Sequence, residues 1–232
     1  RPTIAVAGEI PAGGARQITV SDTNGRSTYR ALNLQLNKDR GTDRYGLRLS
    51  YTLSKLENDT DDINFRASNA NDFDADRGPS ANDRRHVLSA VGFFYPLAGL
   101  TVTAAGLFQS GQPINFVPDA AIFGTQDLNG DGRSFGENFV GNSDRYPGLS
   151  RNAGRLPWSK TVDLGLRYDW RLAGQTVQLS ADVFNVFDWN NLSGFANAAT
   201  TSNQIQFGGD AAFIQRNAGP PRQFQFGMAW QF

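Results

Sequence analysis

The stretch Thr161-Val-Asp-Leu-Gly-Leu-Arg-Tyr-Asp-Trp170 decides the fold. Val162, Leu164, Leu166, Tyr168 and Trp170 fall at every second position, and Thr161, Asp163, Gly165, Arg167 and Asp169 fill the gaps. A helix would scatter these residues around its circumference, whereas a strand sends alternate side chains to opposite faces. The period of two therefore predicts a strand with one apolar and one polar face. The chain end repeats it, with Phe224, Phe226, Met228, Trp230 and Phe232 against Gln223, Gln225, Gly227, Ala229 and Gln231. So do Leu47, Leu49, Tyr51 and Leu53 against Arg48, Ser50, Thr52 and Ser54, and Leu32, Leu34 and Leu36 against Asn33, Gln35 and Asn37. Weaker versions run through 87–95, 100–108 and 177–187.

This amounts to about seven strands of roughly 9–11 residues, the length that crosses a bilayer at the usual barrel tilt. The connections between them alternate short (38–44, 96–99, 171–175) and long (57–83, 111–157, 188–221). A soluble sandwich has no reason to gather every long loop at one end, whereas an outer-membrane barrel has short periplasmic turns and long extracellular loops. The expected fold is all-β, an antiparallel up-and-down transmembrane barrel wall over 27–232, entered through an extracellular segment at 1–26 whose residues 15–21 could add an eighth strand. Phe232 is then periplasmic. Tyr45, Tyr95, Tyr168, Trp170, Trp230 and Phe232 gather at the short-turn end, and Phe108, Trp158, Phe187, Trp189 and Phe224 at the other. Two aromatic belts suit two lipid–water interfaces; the alternative, aromatics filling a sandwich core, would concentrate them mid-strand. The polar face needs water or polar partners, so the expected lumen is wet or holds a polar plug.

Composition agrees only when read this way. With 22 Lys plus Arg against 22 Asp plus Glu the net charge is zero, which argues against a nucleic-acid partner. The mean hydropathy of −0.43 looks soluble, but lipid-facing and water-facing positions cancel and long loops pull the average down. No run approaches the ~18 apolar residues of a spanning helix. The absence of Cys excludes disulfides and thiolate metal sites. Arg1 is not an initiator Met, so a processed chain or a fragment is expected.

Several motifs resemble known families. Gln225-x-Gly227-x-x-Trp230-x-Phe232 resembles the terminal signal of bacterial outer-membrane barrels, which implies recognition by the barrel assembly machinery. Asp76-Arg-Gly-Pro-Ser-Ala-Asn-Asp-Arg-Arg-His86, Ser110-Gly-Gln-Pro113, Arg151-Asn-Ala-Gly-Arg155 ahead of Trp158, and Asp182-Val-Phe-Asn-Val-Phe-Asp188 resemble the C-terminal barrel half of TonB-dependent receptors, in particular the Oar-like branch with a carboxypeptidase-regulatory-like N-terminal domain. That resemblance covers about 29–232. It implies part of a 22-stranded barrel, transport energised by TonB through a plug domain that this chain lacks, and outer-membrane lipid and lipopolysaccharide as surroundings. The alternative is a small self-contained barrel with a structural or adhesive role.

Four clusters invite chemistry. Asp127-Leu-Asn129-Gly-Asp131-Gly132, with the Arg133 carbonyl and Glu137 beside Asn138 at the twelfth position, has the oxygen spacing of a calcium loop. A structural Ca2+ is the one ion it would hold, the alternative is a solvated Asx turn, and no cofactor is required otherwise. Asp83, His86 and Ser89 contain the residue types of a hydrolase triad, but neighbours along a strand point to opposite faces, so His86 is expected to be structural and the chain not an enzyme. Asp59 to Asp83 is rich in Asp and Asn, expected to be a hydrophilic loop in water; a cation-bridged or substrate-contacting surface is the other reading. Arg145-Tyr-Pro-Gly148 and 151–155 could meet lipopolysaccharide phosphates or form an ordinary turn-rich loop. The substrate-binding residues are not readable.

Overall fold

A computed structural model describes residues 23–61, 72–125, 128, 145–197, 204–206 and 213–232. Seven long strands form a continuous wall: β1 (Ser27–Lys38), β2 (Tyr45–Asn58), β3 (His86–Phe94), β4 (Leu100–Gln109), β5 (Ser159–Leu172), β6 (Gln175–Phe184) and β7 (Gln223–Gln231). Each pairs antiparallel with its neighbour in the chain, in the order β1 to β7. The two-residue strand Gly78–Pro79 pairs back onto the end of β2 and makes the sheet eight-stranded. Among the described residues β1 and β7 each pair on one side only, so the sheet does not close.

All seven expected strands are present, and several are longer than the expected 9–11 residues: β2 and β5 each run 14. The extra length is polar (Lys55-Leu-Glu-Asn58 on β2), so the strands continue past the apolar band. The strand expected to reach Phe187 stops at Phe184. Asn185 and Asp188 there take φ of 48° and 54°, the left-handed region that strands exclude and Asn and Asp tolerate. The β5–β6 hairpin turns on Ala173 and Gly174 (φ 50° and 81°), the two positive values that a tight primed turn needs.

The register settles which residues share a face. Leu34 lies opposite Tyr51, Tyr51 opposite Leu88, Leu88 opposite Phe108 and Phe108 opposite Lys160. Nearer the short turns, Tyr45, Phe94, Val102, Leu166, Ala181 and Phe226 line up across six strands. Face one thus carries an apolar band from edge to edge, broken near its long-loop end by Lys160. The polar face corrects one expectation. Arg48, Ser50, Thr103, Asp163, Gln178 and Gln225 belong there, but so do Val87, Val91, Phe93, Ala105 and Leu107, which form an apolar island on β3 and β4.

Among the described residues nothing covers the apolar face. Leu34 is 52 % exposed, Leu166 46 %, Phe226 79 % and Met228 76 %. Among the described residues the buried apolar core is Ile114 and Leu156, with Phe116 against them. A water-soluble domain folds around its large apolar side chains and does not display a contiguous sheet of them. This arrangement suits lipid as the covering phase. Among the described residues no helix is long and apolar enough to cross a membrane, so the crossing would be made by strands.

Candidate functional site

The long connections meet at one end of the wall, and there the chain builds a buried polar cluster. Asp59, Asp76 and Asp83 are at most 2 % exposed. Buried carboxylates are costly unless paired or hydrogen-bonded; Asp59 is held by a backbone N–H, and Asp76 and Asp83 are ion-paired. The Asp59 carboxylate accepts both its hydrogen bonds from the Arg26 N–H, at 2.8 and 2.9 Å, tying the start of β1 to the end of β2. Asp83 accepts from the Leu56 N–H at 2.7 Å and pairs with Arg155. Asp76 pairs with Arg145 at 2.8 Å, and Arg145 also donates to the Ala75 carbonyl.

Arg151 is the hub and is 2 % exposed. Its guanidinium pairs with Asp61 and donates to the Asp76 carbonyl at 2.9 Å, the Asn58 carbonyl at 2.7 Å and Asn58 Oδ1. Asn152, at φ 55°, aims its Nδ2 at the Pro79 carbonyl at 2.8 Å and at Asp61 Oδ2. Burial pushes the Asp61 carboxyl up, yet the Asn58 amide, the Arg151 charge, the Ser80 hydroxyl and the Ala81 N–H together outweigh it and hold the group below its ordinary value. A depressed carboxylate stabilises the fold above its unfolded pKa, about 4, and loses that contribution as pH falls through the lower folded value. Proteolysis of the 57–83 connection is therefore expected to stay flat from pH 8 to about 5 and to rise only below about 4; a rise centred near pH 6 would contradict the pairing.

Two glycines make the closeness possible. A Cβ on Gly78 would collide with the Arg151 carbonyl, and one on Gly111 with the carbonyls of Leu156 and Pro157. Ser110 completes the strap: its hydroxyl accepts from the His86 N–H at 3.0 Å, and its carbonyl accepts from Arg84.

This changes several expectations. Among the described residues, Asp59, Asp61, Asp76 and Asp83 are not a solvated loop: Asp61, Asp76 and Asp83 are the acidic half of an interlock whose basic half is Arg151, Arg145 and Arg155, and Asp59 holds the Arg26 N–H. Arg151 is buried, while Arg145 and Arg155 are engaged by Asp76 and Asp83 and keep part of their side chains exposed. The motifs at 76–86, 110–113 and 151–155 are parts of one assembly, which sequence reading missed; complementary charge in two separate long loops was the available signal. The 182–188 motif has a parallel task at the next loop. Asn185 receives a bond on Oδ1 from the Trp189 N–H at 3.0 Å, donates from Nδ2 to the Trp189 and Pro220 carbonyls, and donates its N–H to Asp163. Asp188 accepts from the Arg222 N–H at 2.8 Å, so both ends of 185–222 are pinned together.

Asp83, His86 and Ser89 do not converge. Asp83 is taken by Leu56 and Arg155, while His86 Nδ1 bonds the Tyr51 hydroxyl at 2.8 Å and its ring stacks on Tyr51 and Trp158. Ser89 lies opposite Ser50, on the polar face. Asp127, Asn129, Asp131, Arg133 and Glu137 lie outside the described residues, as does 15–21. Of the C-terminal signal, Gln225 and Gly227 face the polar side opposite Asp182 and Ser180, Trp230 donates to Gln175 at 3.0 Å, and Phe232 follows the strand fully exposed. A Cβ on Gly227 would meet the Ser180 hydroxyl at 2.6 Å.

The aromatic ends of the wall are as expected. Phe108 meets Trp189 edge-on at 6.2 Å and Phe187 stacks on Trp189 at 4.7 Å, at the long-loop end. Tyr45, Tyr168, Trp170 and Trp230 lie at the short-turn end. The family model for an outer membrane beta barrel domain matches residues 2–225. The chain belongs to that family. The apolar face of this outer-membrane barrel domain is accordingly its lipid face, and the bacterial outer membrane is its location. No curated protein matches the chain.

Proposed function

We propose that this barrel domain is the C-terminal wall of a TonB-dependent outer-membrane receptor, with its interlocked loops outside the cell and Phe232 in the periplasm. The observation that carries the reading is the open sheet: seven crossing strands whose end strands, among the described residues, pair on one side only. Unpaired backbone groups are not tolerated in lipid, so further strands must close the wall. The motif resemblance supplies the total, 22 strands in the whole barrel, and the apolar island on the polar face gives a plug a dry surface to rest on. The interlock supports the same reading, since loops that bind substrate need rigid bases. In this role the chain carries out no covalent chemistry. It forms wall and substrate-facing loops, and TonB acts through the plug. The terminal Gln225, Gly227, Trp230 and Phe232 serve assembly.

The test is a distance. Spin labels on Leu34 of β1 and Phe226 of β7, in the full-length protein in bilayers, are expected to lie about 30 Å apart across the arc of a 22-stranded barrel. A separation of about 10 Å would mean a small closed barrel and overturn the reading. In cells, ligand uptake through the receptor should disappear with loss of TonB; uptake indifferent to TonB would overturn the transport half.

A further inference from the structure

At the short-turn end the wall holds a hollow of about 430 Å³. Arg40 from the turn after β1, Tyr95 and Gly99 from the turn after β3, and Thr101, Asp169 and Arg171 from β4 and β5 line it. Thr101 lies opposite Arg167, Asp169 opposite Gln178 and Arg171 opposite Thr176, so these strand residues belong to the polar face. Backbone contacts fix the walls. Asp169 donates its N–H to the Gly99 carbonyl at 2.8 Å, and Arg44 donates to the Pro96 carbonyl at 3.0 Å. Gly99, at φ 79°, is so close that a Cβ there would meet the Asp169 carbonyl at 2.7 Å. The Arg40 guanidinium lies over the Tyr95 ring, 4.2 Å from its centroid, which orients the charge. Among the described residues neither Arg40 nor Arg171 pairs with a carboxylate. The Asp169 carboxylate accepts from the Gln178 amide at 2.8 Å through one oxygen. The hollow thus presents two cations and one carboxylate to whatever enters it.

We propose that this hollow binds a short peptide end carrying two carboxylates and one amine, the chemistry of the diamino-acid end of a peptidoglycan stem peptide. Arg40 and Arg171 each take a carboxylate, in the charge-assisted contacts that a planar guanidinium makes well. Asp169 takes the ammonium on its other oxygen. The charges of ligand and hollow then match one for one, which a singly charged anion would not achieve. The volume is that of a small-ligand site, within the range of about 300–1,000 Å³. A lipid headgroup is kept out by position, because the strand residues of the hollow face away from lipid. The inference rests on the proposed orientation, with the short turns in the periplasm, where stem peptides are found. Occupancy tethers the barrel to the cell wall.

The experiment titrates the full-length protein in lipid nanodiscs with the tripeptide L-alanyl-γ-D-glutamyl-meso-diaminopimelate and reads Kd by calorimetry. The variant Arg40→Gln/Arg171→Gln should bind about tenfold more weakly, with the heat-modifiable gel shift of a folded barrel unchanged. The same tripeptide with lysine in place of diaminopimelate lacks one carboxylate; it should lose a similar factor on wild type and little on the variant. No saturable binding to wild type, equal binding by the variant, or equal binding of the lysine tripeptide overturns the proposal. Inorganic phosphate that binds as tightly as the tripeptide also overturns it, because the hollow would then select only negative charge. A Thr42→Cys variant is scored in parallel on intact cells with a membrane-impermeant thiol reagent. Labelling there would refute the orientation itself, whereas no labelling together with a failed titration refutes only this site.

Discussion

Arg151→Ala is expected to destabilise the loop base by about 3–5 kcal/mol, the cost of removing one partner from a buried ion pair. The loss is large because four acceptors depend on one guanidinium: the Asp61 carboxylate, the Asn58 carbonyl and side chain, and the Asp76 carbonyl. Those groups belong to the 57–83 connection, and Arg151 belongs to 111–157, so the two loops should come apart together. Hydrogen exchange is the readout: amides near Asn58, Asp61 and Asp76 should lose protection while those of β5 and β6 keep theirs. The double change Arg151→Met/Asp61→Leu should recover much of the loss, because it leaves no unpaired charge. Unchanged protection in Arg151→Ala would mean that the interlock does not hold the loops.

Leu166→Arg should cost about 2–4 kcal/mol of barrel stability, the penalty for a charge on the lipid face near the bilayer middle. Leu166 sits mid-strand on β5, between Val102 and Ala181. Thr103→Arg is the control. It lies one strand away on the polar face, opposite Gly165 and within reach of solvated partners, and should stay within about 0.5 kcal/mol. Refolding in lipid vesicles against urea measures both. Equal costs would remove the distinction between the faces.

The wall was legible because period-two alternation is local: Val162 to Trp170 announces its faces without reference to any other strand. On β3 and β4 the signal weakens. Ala90, Gly92, Ala104 and Gly106 occupy the lipid face while Val91, Phe93 and Leu107 occupy the other, so hydrophobicity alone assigns neither; register with β2 and β5 does. The ends of β2 were unreadable for a related reason. Lys55 and Glu57 look like loop, but pairing with β1 and with Pro79 keeps them in the ladder. The interlock was hidden by sequence distance. Nothing local to Asp61 says that its partner is Arg151, and a charged, Asn-rich stretch reads as solvated until the partner appears. His86 shows the reverse: sequence proximity suggested a triad, and strand geometry dispersed it.

The most direct test of the account is a cysteine scan through Val162–Trp170, in a chain that itself contains no Cys, with any Cys elsewhere in the full-length protein first replaced by Ser. Single cysteines placed in the full-length protein in outer membranes are labelled with a lipid-soluble and a water-soluble thiol reagent. The account predicts that Cys at 162, 164, 166 and 168 reacts with the lipid-soluble reagent, that Cys at 163, 165, 167 and 169 reacts with the water-soluble one, and that the two patterns alternate without a break. Water-soluble labelling at every position, or labelling with a period near 3.6, would contradict it.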